Sequence, residues 1–260
     1  MGSANQQGAL WGAAARDWAA YQEATALPLW RDVLQAVQAG EGVKLLDAGC
    51  GAGGACVEAA KLGCEVTGVD ASPALLGIAP ERLTTARFEE ADLESLPFDD
   101  SGFDGVIAVN SVMYAADMAR ALRELARVTR ADGRVVITTW GKPEDCEMRD
   151  VFGAVISALP SKPPGEGPFA LSGPGMLEGL LEGGELRPLT RGAIRCDFSY
   201  PDFDVCWRAL SSSGPLQAAI GAAGEATVRA AVEGAVKKYT DESGAITVHN
   251  VFLWAAGERA

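Results

Sequence analysis

From residue 43 to residue 139 the chain alternates two periods. Short apolar runs at 43–48, 64–70, 86–89, 103–110 and 134–139 read as strands. Stretches with helical spacing lie between them, at 55–61, 73–83 and 117–129. Strands alternating with helices predict a parallel sheet covered on both faces. Right-handed crossovers then place all five strand ends on one edge. Gly49, Asp70, Asp92, Asn110 and Trp140 should share that rim.

The flanks carry weaker patterns. Residues 1–7 are small and polar and are expected to be loose. Leu10, Trp11, Ala14, Ala15 and Trp18 form a stripe that predicts a helix over 9–20, ended by Tyr21. Pro28 starts a second helix, with Leu29, Val33, Leu34 and Val37 on one face and Gly40 at its end. Trp11, Trp18 and Trp30 are read first as packing residues. Pro80 should kink or end the helix that begins at Pro73. Beyond residue 140, the proline-rich stretch 157–174 predicts an irregular loop, 176–181 a helix and 186–200 a sixth strand. Residues 203–238 read as helix in pieces, broken at 211–215, and 245–255 as the last strand.

The densest signal follows the first strand. Asp47 precedes Gly49, Gly51, Gly53 and Gly54, so a buried strand stops in a tight turn at a helix start. Glycine there permits positive φ and close approach of backbone to a ligand. Free N–H groups at a helix start suit an anionic or polar ligand group. Gly49, Gly51 and Gly54 also fit the dinucleotide pattern GxGxxG, which is weak evidence alone. Asp47 tilts the reading, because a carboxylate at that strand end opposes a pyrophosphate and suits a ligand with positive charge. S-adenosylmethionine, with an ammonium and a sulfonium, is such a ligand. Asp70 ends the second strand where an acid can accept both hydroxyls of a ribose.

The run from Asp47 to Gly53 resembles motif I of the class I S-adenosylmethionine-dependent methyltransferases, the type 11 group in particular. Matches extend from about Leu45 to Thr138, with Asp70 at the second acidic motif and Asp92-Leu93 at the adenine site. The resemblance implies a Rossmann-like sheet of seven strands, mostly parallel, with the last strand antiparallel between the fifth and sixth. Helices would sandwich it, with N-terminal helices (1–40) over the site. One domain would then comprise a cofactor-binding core (41–140) and a substrate-side half (141–260) with a lid at 201–244. It also implies that backbone of Gly49, Cys50 and Gly51 holds the methionine part of S-adenosylmethionine. Asp70 with Ala71 would hold the ribose and Asp92 with Leu93 the adenine, with Asp47 and Asn110 completing that side. Many relatives carry a histidine in the loop after the fourth strand. Here Ser111, Val112, Met113 and Tyr114 stand there, so that role does not transfer.

Composition narrows the partners. The net charge of −13, from 22 basic and 35 acidic residues, disfavours nucleic acid as substrate. No apolar run approaches the ~20 residues that cross a bilayer, and no basic-then-apolar leader opens the chain. Six cysteines without metal-ligand spacing read as reduced, mostly buried thiols in a cytoplasmic protein, with no metal site. His249, the sole histidine, is the candidate base because its ordinary pKa suits proton transfer near neutrality. Tyr21, Met113, Tyr114, Trp140, Tyr200 and Trp207 are candidate pocket walls. The expected function is methylation of a small organic acceptor, uncharged or aromatic, on O, N or C, by a monomer or homodimer. Two alternatives remain open here: a nicotinamide oxidoreductase, and a protein that binds S-adenosylmethionine without methylating.

Overall fold

The computed structural model describes residues 3–161, 165 and 167–259. Seven strands form one sheet: β1 (Lys44–Ala48), β2 (Glu65–Asp70), β3 (Arg87–Glu90), β4 (Phe103–Ala108), β5 (Thr129–Trp140), β6 (Leu186–Tyr200) and β7 (Ile246–Arg259). Their order is β3-β2-β1-β4-β5-β7-β6. Pairs among β1 to β5 are parallel, while β7 runs antiparallel to both β5 and β6. The arrangement is Rossmann-like. Strand order reverses at β1, between β2 and β4, so a crevice opens beyond its carboxyl end.

The central strands are apolar along their length because both faces are covered; Leu45, Leu46, Val106 and Ile107 are fully buried. On one face pack α3 (Leu27–Ala36), α4 (Gly54–Lys61) and α8 (Met148–Ala158), whose Leu29, Val33, Cys56 and Val155 share a core with Val136 and Phe252. On the other lie α7 (Met118–Val128) and α9 (Met176–Gly183), with Leu122, Leu125 and Leu181 against Ala108 and Val135. Two short helices, α5 (Pro73–Leu76) and α6 (Ala79–Arg82), replace the single helix that Pro80 interrupts. Between β6 and β7 stand α10 (Phe203–Ser211), α11 (Gly214–Ala223) and α12 (Glu225–Val236). This helical insert is tied down at Asp150 of α8, which accepts from Lys238 Nζ at 2.6 Å.

The N-terminal region departs from expectation. Helix α1 already starts at Ala4 and ends at Gly12, so the stretch expected to be loose is largely helical. Then α2 (Ala15–Asp17) runs into a π-helical turn (Trp18–Gln22) and a 3-10 turn (Glu23–Ala26) before α3. Helix α3 stops at Ala36, and the chain turns at Gln38 with φ +62° rather than at Gly40. Helix α8 has no counterpart in the sequence reading; only its last two residues, Ser157 and Ala158, fall in the stretch taken as loop. Part of that stretch, 162–164 and 166, lies outside the described residues. Strand β7 runs four residues past its expected end, paired to β5 and β6.

Among the described residues no helix is long and apolar enough to cross a membrane. The six cysteines are free, five of them buried, and no described cluster could hold a metal ion.

Helix α7 offers a simple test of local design. Asp117 caps it by accepting from Arg120 N at 2.9 Å. Asp117→Ala should destabilise the fold by about 1 kcal/mol, read as a fall of roughly 2–4 °C in the thermal midpoint.

Candidate active site

The turn after β1 is shaped by what lies beside it. Gly49 has φ +87°, and a Cβ there would sit 2.3 Å from the Ser111 Cβ. Its N–H and that of Cys50 both donate to the Val69 carbonyl, at 2.8 and 2.9 Å, which ties the turn to the end of β2. Asp70 at that end accepts from Gly51 N at 2.9 Å and from Ser72 N at 2.8 Å. Burial raises the Asp70 pKa, and these N–H groups oppose the rise. Below the turn, Asp47 is 2 % exposed and accepts only from the Cys56 thiol, at 3.3 Å. Burial, with Glu23 and Asp70 nearby, pushes its pKa up to about 7.

Glu23 is a member of this group that sequence reading missed. It is buried, accepts from Ala52 N at 2.8 Å and pairs with Arg82. Arg82 also donates to the Ala52 carbonyl at 2.9 Å. Glu23 thereby clasps the N-terminal segment to the glycine turn. The wide turn over Trp18–Gln22 sends Trp18 and Gln22 inward with it. At the end of β3, Asp92 accepts from Glu94 N at 2.9 Å through one oxygen. Asn110, beyond β4, sits at φ +51°, a left-handed conformation that costs on the order of 1–3 kcal/mol unless held. Thr138 Oγ1 holds it twice, accepting from Asn110 N and donating to Asn110 Oδ1, each at 2.8 Å.

Glu23, Asp47, Asp70, Asp92 and Asn110 face one cavity of about 910 Å³ at the carboxyl edge of the sheet. Asp47, Gly49, Cys50, Gly51, Asp70, Ala71, Asp92, Leu93 and Asn110 line it. So do three of the aromatic or apolar candidates, Met113, Tyr114 and Trp140. Trp11 and Trp18, read first as packing, also line it; Trp11 stacks edge-on to Trp18 at 4.9 Å and to Tyr114 at 5.4 Å. A second wall is built around Trp140, which meets Phe152 at 5.3 Å and Phe252 at 4.5 Å between ring centres. Phe152 and Ile156 come from α8, which the sequence reading missed, and Leu216 and Ala219 from α11, inside the stretch 203–238 that it read as helical. An apolar i, i+4 pair at 152 and 156 was the available signal.

Four candidates do not line the cavity and are corrected here. Tyr21 turns outward, because the π-helical turn gives the inner face to Trp18 and Gln22; Arg208 lies 4.5 Å above its ring. Tyr200 stands behind the wall, donating from its hydroxyl to Gln22 Oε1 at 2.6 Å. Trp207 is buried within the helical insert, under Arg229. His249 lies on the exposed side of β7, where Nδ1 is 2.9 Å from Asp197 Oδ1 and 2.6 Å from Arg195 Nη2. The period of two along β7 buries Val248 and Asn250 instead.

Residues 46–137 match a family described as methyltransferase domain. The chain is 34% identical over 155 residues to an uncharacterised protein of Mycobacterium tuberculosis, covering 58% of this chain and 54% of that protein. It is 35% identical over 115 residues to the malonyl-[acyl-carrier protein] O-methyltransferase of Pseudescherichia vulneris, covering 44% and 46%. The chain thus spans about half the length of the curated relatives it matches. Among solved structures, the YcgJ protein from Bacillus subtilis has the same fold, with a TM-score of 0.57 at 20% identity over 88% of this chain and 97% of that one. Residues 46–137 are therefore similar to the methyltransferase domain family, and the chain shares its fold with that solved structure.

Asp47 makes the ligand-free protein sensitive to pH in a defined direction. Its folded pKa of about 7 lies above the ordinary 3.8, so the folded state holds its proton longer. The stability it contributes is full below about pH 4 and is lost as pH rises to about 7, at up to about 1.4 kcal/mol per pH unit. Asp47→Asn should lack that slope. Chemical denaturation of both proteins at intervals between about pH 4 and pH 8 reads the difference; parallel curves would contradict the assignment.

Proposed function

We propose that the chain transfers a methyl group from S-adenosylmethionine to a small organic acceptor. One observation carries this reading: successive strand ends deliver Asp47, Asp70, Asp92 and Asn110 to a single cavity, and no lysine, arginine or histidine is among its described lining residues. With Glu23, four carboxylates face that space. Such a field attracts a cation and repels a pyrophosphate, which argues against a nicotinamide dinucleotide at the same turn.

The residues fit the cofactor by their remaining capacity. Each Asp70 oxygen uses one of two acceptor sites on backbone N–H groups, so a ribose diol can still be accepted. Asp92 keeps an oxygen for an exocyclic amine, and the Leu93 N–H lies next to it for the ring. A Cβ on Gly51 would fall 3.0 Å from Glu23 Oε1, so its absence keeps the cradle open for the methionine part. Asp47 faces the same space as the ammonium counter-group. When bound, S-adenosylmethionine supplies a methyl group already activated on a positive sulfonium. The protein's task is then to place an acceptor atom in line with it, roughly 3–3.5 Å away, and to exclude water. The N-terminal segment and the helical insert meet over the cavity for that purpose: Gly214 of α11 packs so tightly on Trp11 that a Cβ would lie 2.6 Å from the indole nitrogen.

Calorimetry with S-adenosylmethionine and its demethylated product tests the reading. Both should bind, and Asp70→Asn should weaken the product about 10- to 100-fold, the worth of hydrogen bonds to a charged acceptor. Unchanged affinity in that variant, or saturation by NADH without saturation by either sulfur ligand, would sink it.

A further inference from the structure

The cavity has two halves of opposite chemistry. All four of its carboxylates come from the cap, β1, β2 and the end of β3, on the side given above to the cofactor. The other half lies between α8 and α11. Phe152, Val155 and Ile156 face it from α8, and Pro215, Ala218 and Ala222 from α11. The α11 residues fall at i, i+3 and i+7, one face of the helix turned to the cavity. Trp140 closes the floor between them.

This half offers a charged acceptor nothing. A buried charge is costly unless paired, and none of the described side chains in this half carries a countercharge. A phosphate or carboxylate would also face the four acids across the cavity. Neutral hydroxyls are its polar exceptions: Ser161 after α8, Ser213 at the start of α11, and two that face the cavity from the sheet side. Thr139 Oγ1, at the end of β5, is the only buried side-chain oxygen or nitrogen without a partner among the described residues. Tyr114 lines the opposite wall, and burial raises the pKa of its hydroxyl, so it stays protonated as a donor.

We infer that the acceptor is an uncharged, carbon-rich molecule, gripped by its skeleton between α8 and α11 and oriented by one neutral oxygen or nitrogen, and that phosphate- or carboxylate-bearing molecules are excluded. The inference rests on the methyl-transfer reading and refines its substrate. It makes α8 and α11, rather than the sheet edge, the elements that set acceptor size and charge.

The test uses the full chain loaded with S-adenosylhomocysteine and two matched probe pairs: 2-naphthol with 2-naphthyl phosphate, and farnesol with farnesyl phosphate. Binding is followed by calorimetry and by quenching of the tryptophans. The neutral member of each pair should bind at least tenfold more tightly. Ala218→Trp, at an exposed position facing the cavity, should weaken the neutral probes at least tenfold. Ile156→Arg should narrow or reverse the preference by giving the phosphate a partner. Binding of S-adenosylhomocysteine to each variant reports that it is folded. Equal or tighter binding of the phosphates to the unmodified protein overturns the inference, as does failure of both neutral probes to bind the loaded protein. If S-adenosylhomocysteine itself does not bind the unmodified protein, the cofactor reading fails first and this one with it.

Discussion

Main-chain N–H groups, with few basic side chains, hold the acids at the carboxyl edge of this sheet. Asp70 is held by Gly51 and Ser72, Glu23 by Ala52, Asp92 by Glu94, and Glu94 in turn by Ala116 and Asp117. A hydrogen bond to a charged group contributes about 1.5–3 kcal/mol, and a buried carboxylate without one is costly. Backbone donors can stabilise these acids without cancelling their charge. Arg82, on Glu23, is the one basic side chain paired within the group among the described residues. The cavity consequently keeps a negative field that lysine or arginine neighbours would have quenched. Asp47 is the exception, with only a thiol as donor, and its pKa climbs accordingly.

That constraint explains where the backbone is irregular. To point successive N–H groups at carboxylates, the turn after β1 takes positive φ at Gly49, Gly51 and Gly53. To bring Glu23 onto Ala52, the segment between α2 and α3 abandons the α-helix for a π turn and then a 3-10 turn. Such departures concentrate at functional sites because the regular ladder cannot aim side chains this way. The same closeness appears at Gly8, where a Cβ would lie 2.0 Å from the Ala71 carbonyl. The cap is fitted to the site at main-chain contact distance.

The sheet and the acids on it were legible because they obey local rules. A strand that is apolar throughout, an acid at its end and glycines beyond it are all written within about ten residues, as the strand–turn–helix unit requires. Asp47 and Asp70 were singled out from their own stretches, whereas Asp92 rested on the family resemblance. Glu23 was illegible for the opposite reason: its role depends on a helix defect and on Ala52, 29 positions away. Helix α8 was overlooked although Phe152 and Ile156 carry its period, because the prolines that follow it dominated the reading. His249 shows the limit of residue type as a guide. Its chemistry suited a base, but strand alternation, fixed by the buried neighbours Val248 and Asn250, turned it outward to Asp197.

The two halves of the cavity are therefore built on different kinds of determinant, and this bears on how such a site can change. The proposed cofactor side is made of backbone geometry and of acids from 47–92 together with Glu23, most of them held by main-chain N–H groups. The proposed acceptor side is made of apolar side chains from α8 and α11, while α10 ties the insert to the N-terminal segment through Arg208 to Asp17 at 2.6 Å. Apolar walls tolerate exchange of volume more readily than hydrogen-bonded networks tolerate exchange of partners. A small residue such as Ala218 or Ala222 can grow or shrink without moving a single bond to the glycine turn. Under the proposed function, placement of the methyl group and choice of acceptor are thus physically separable in this fold.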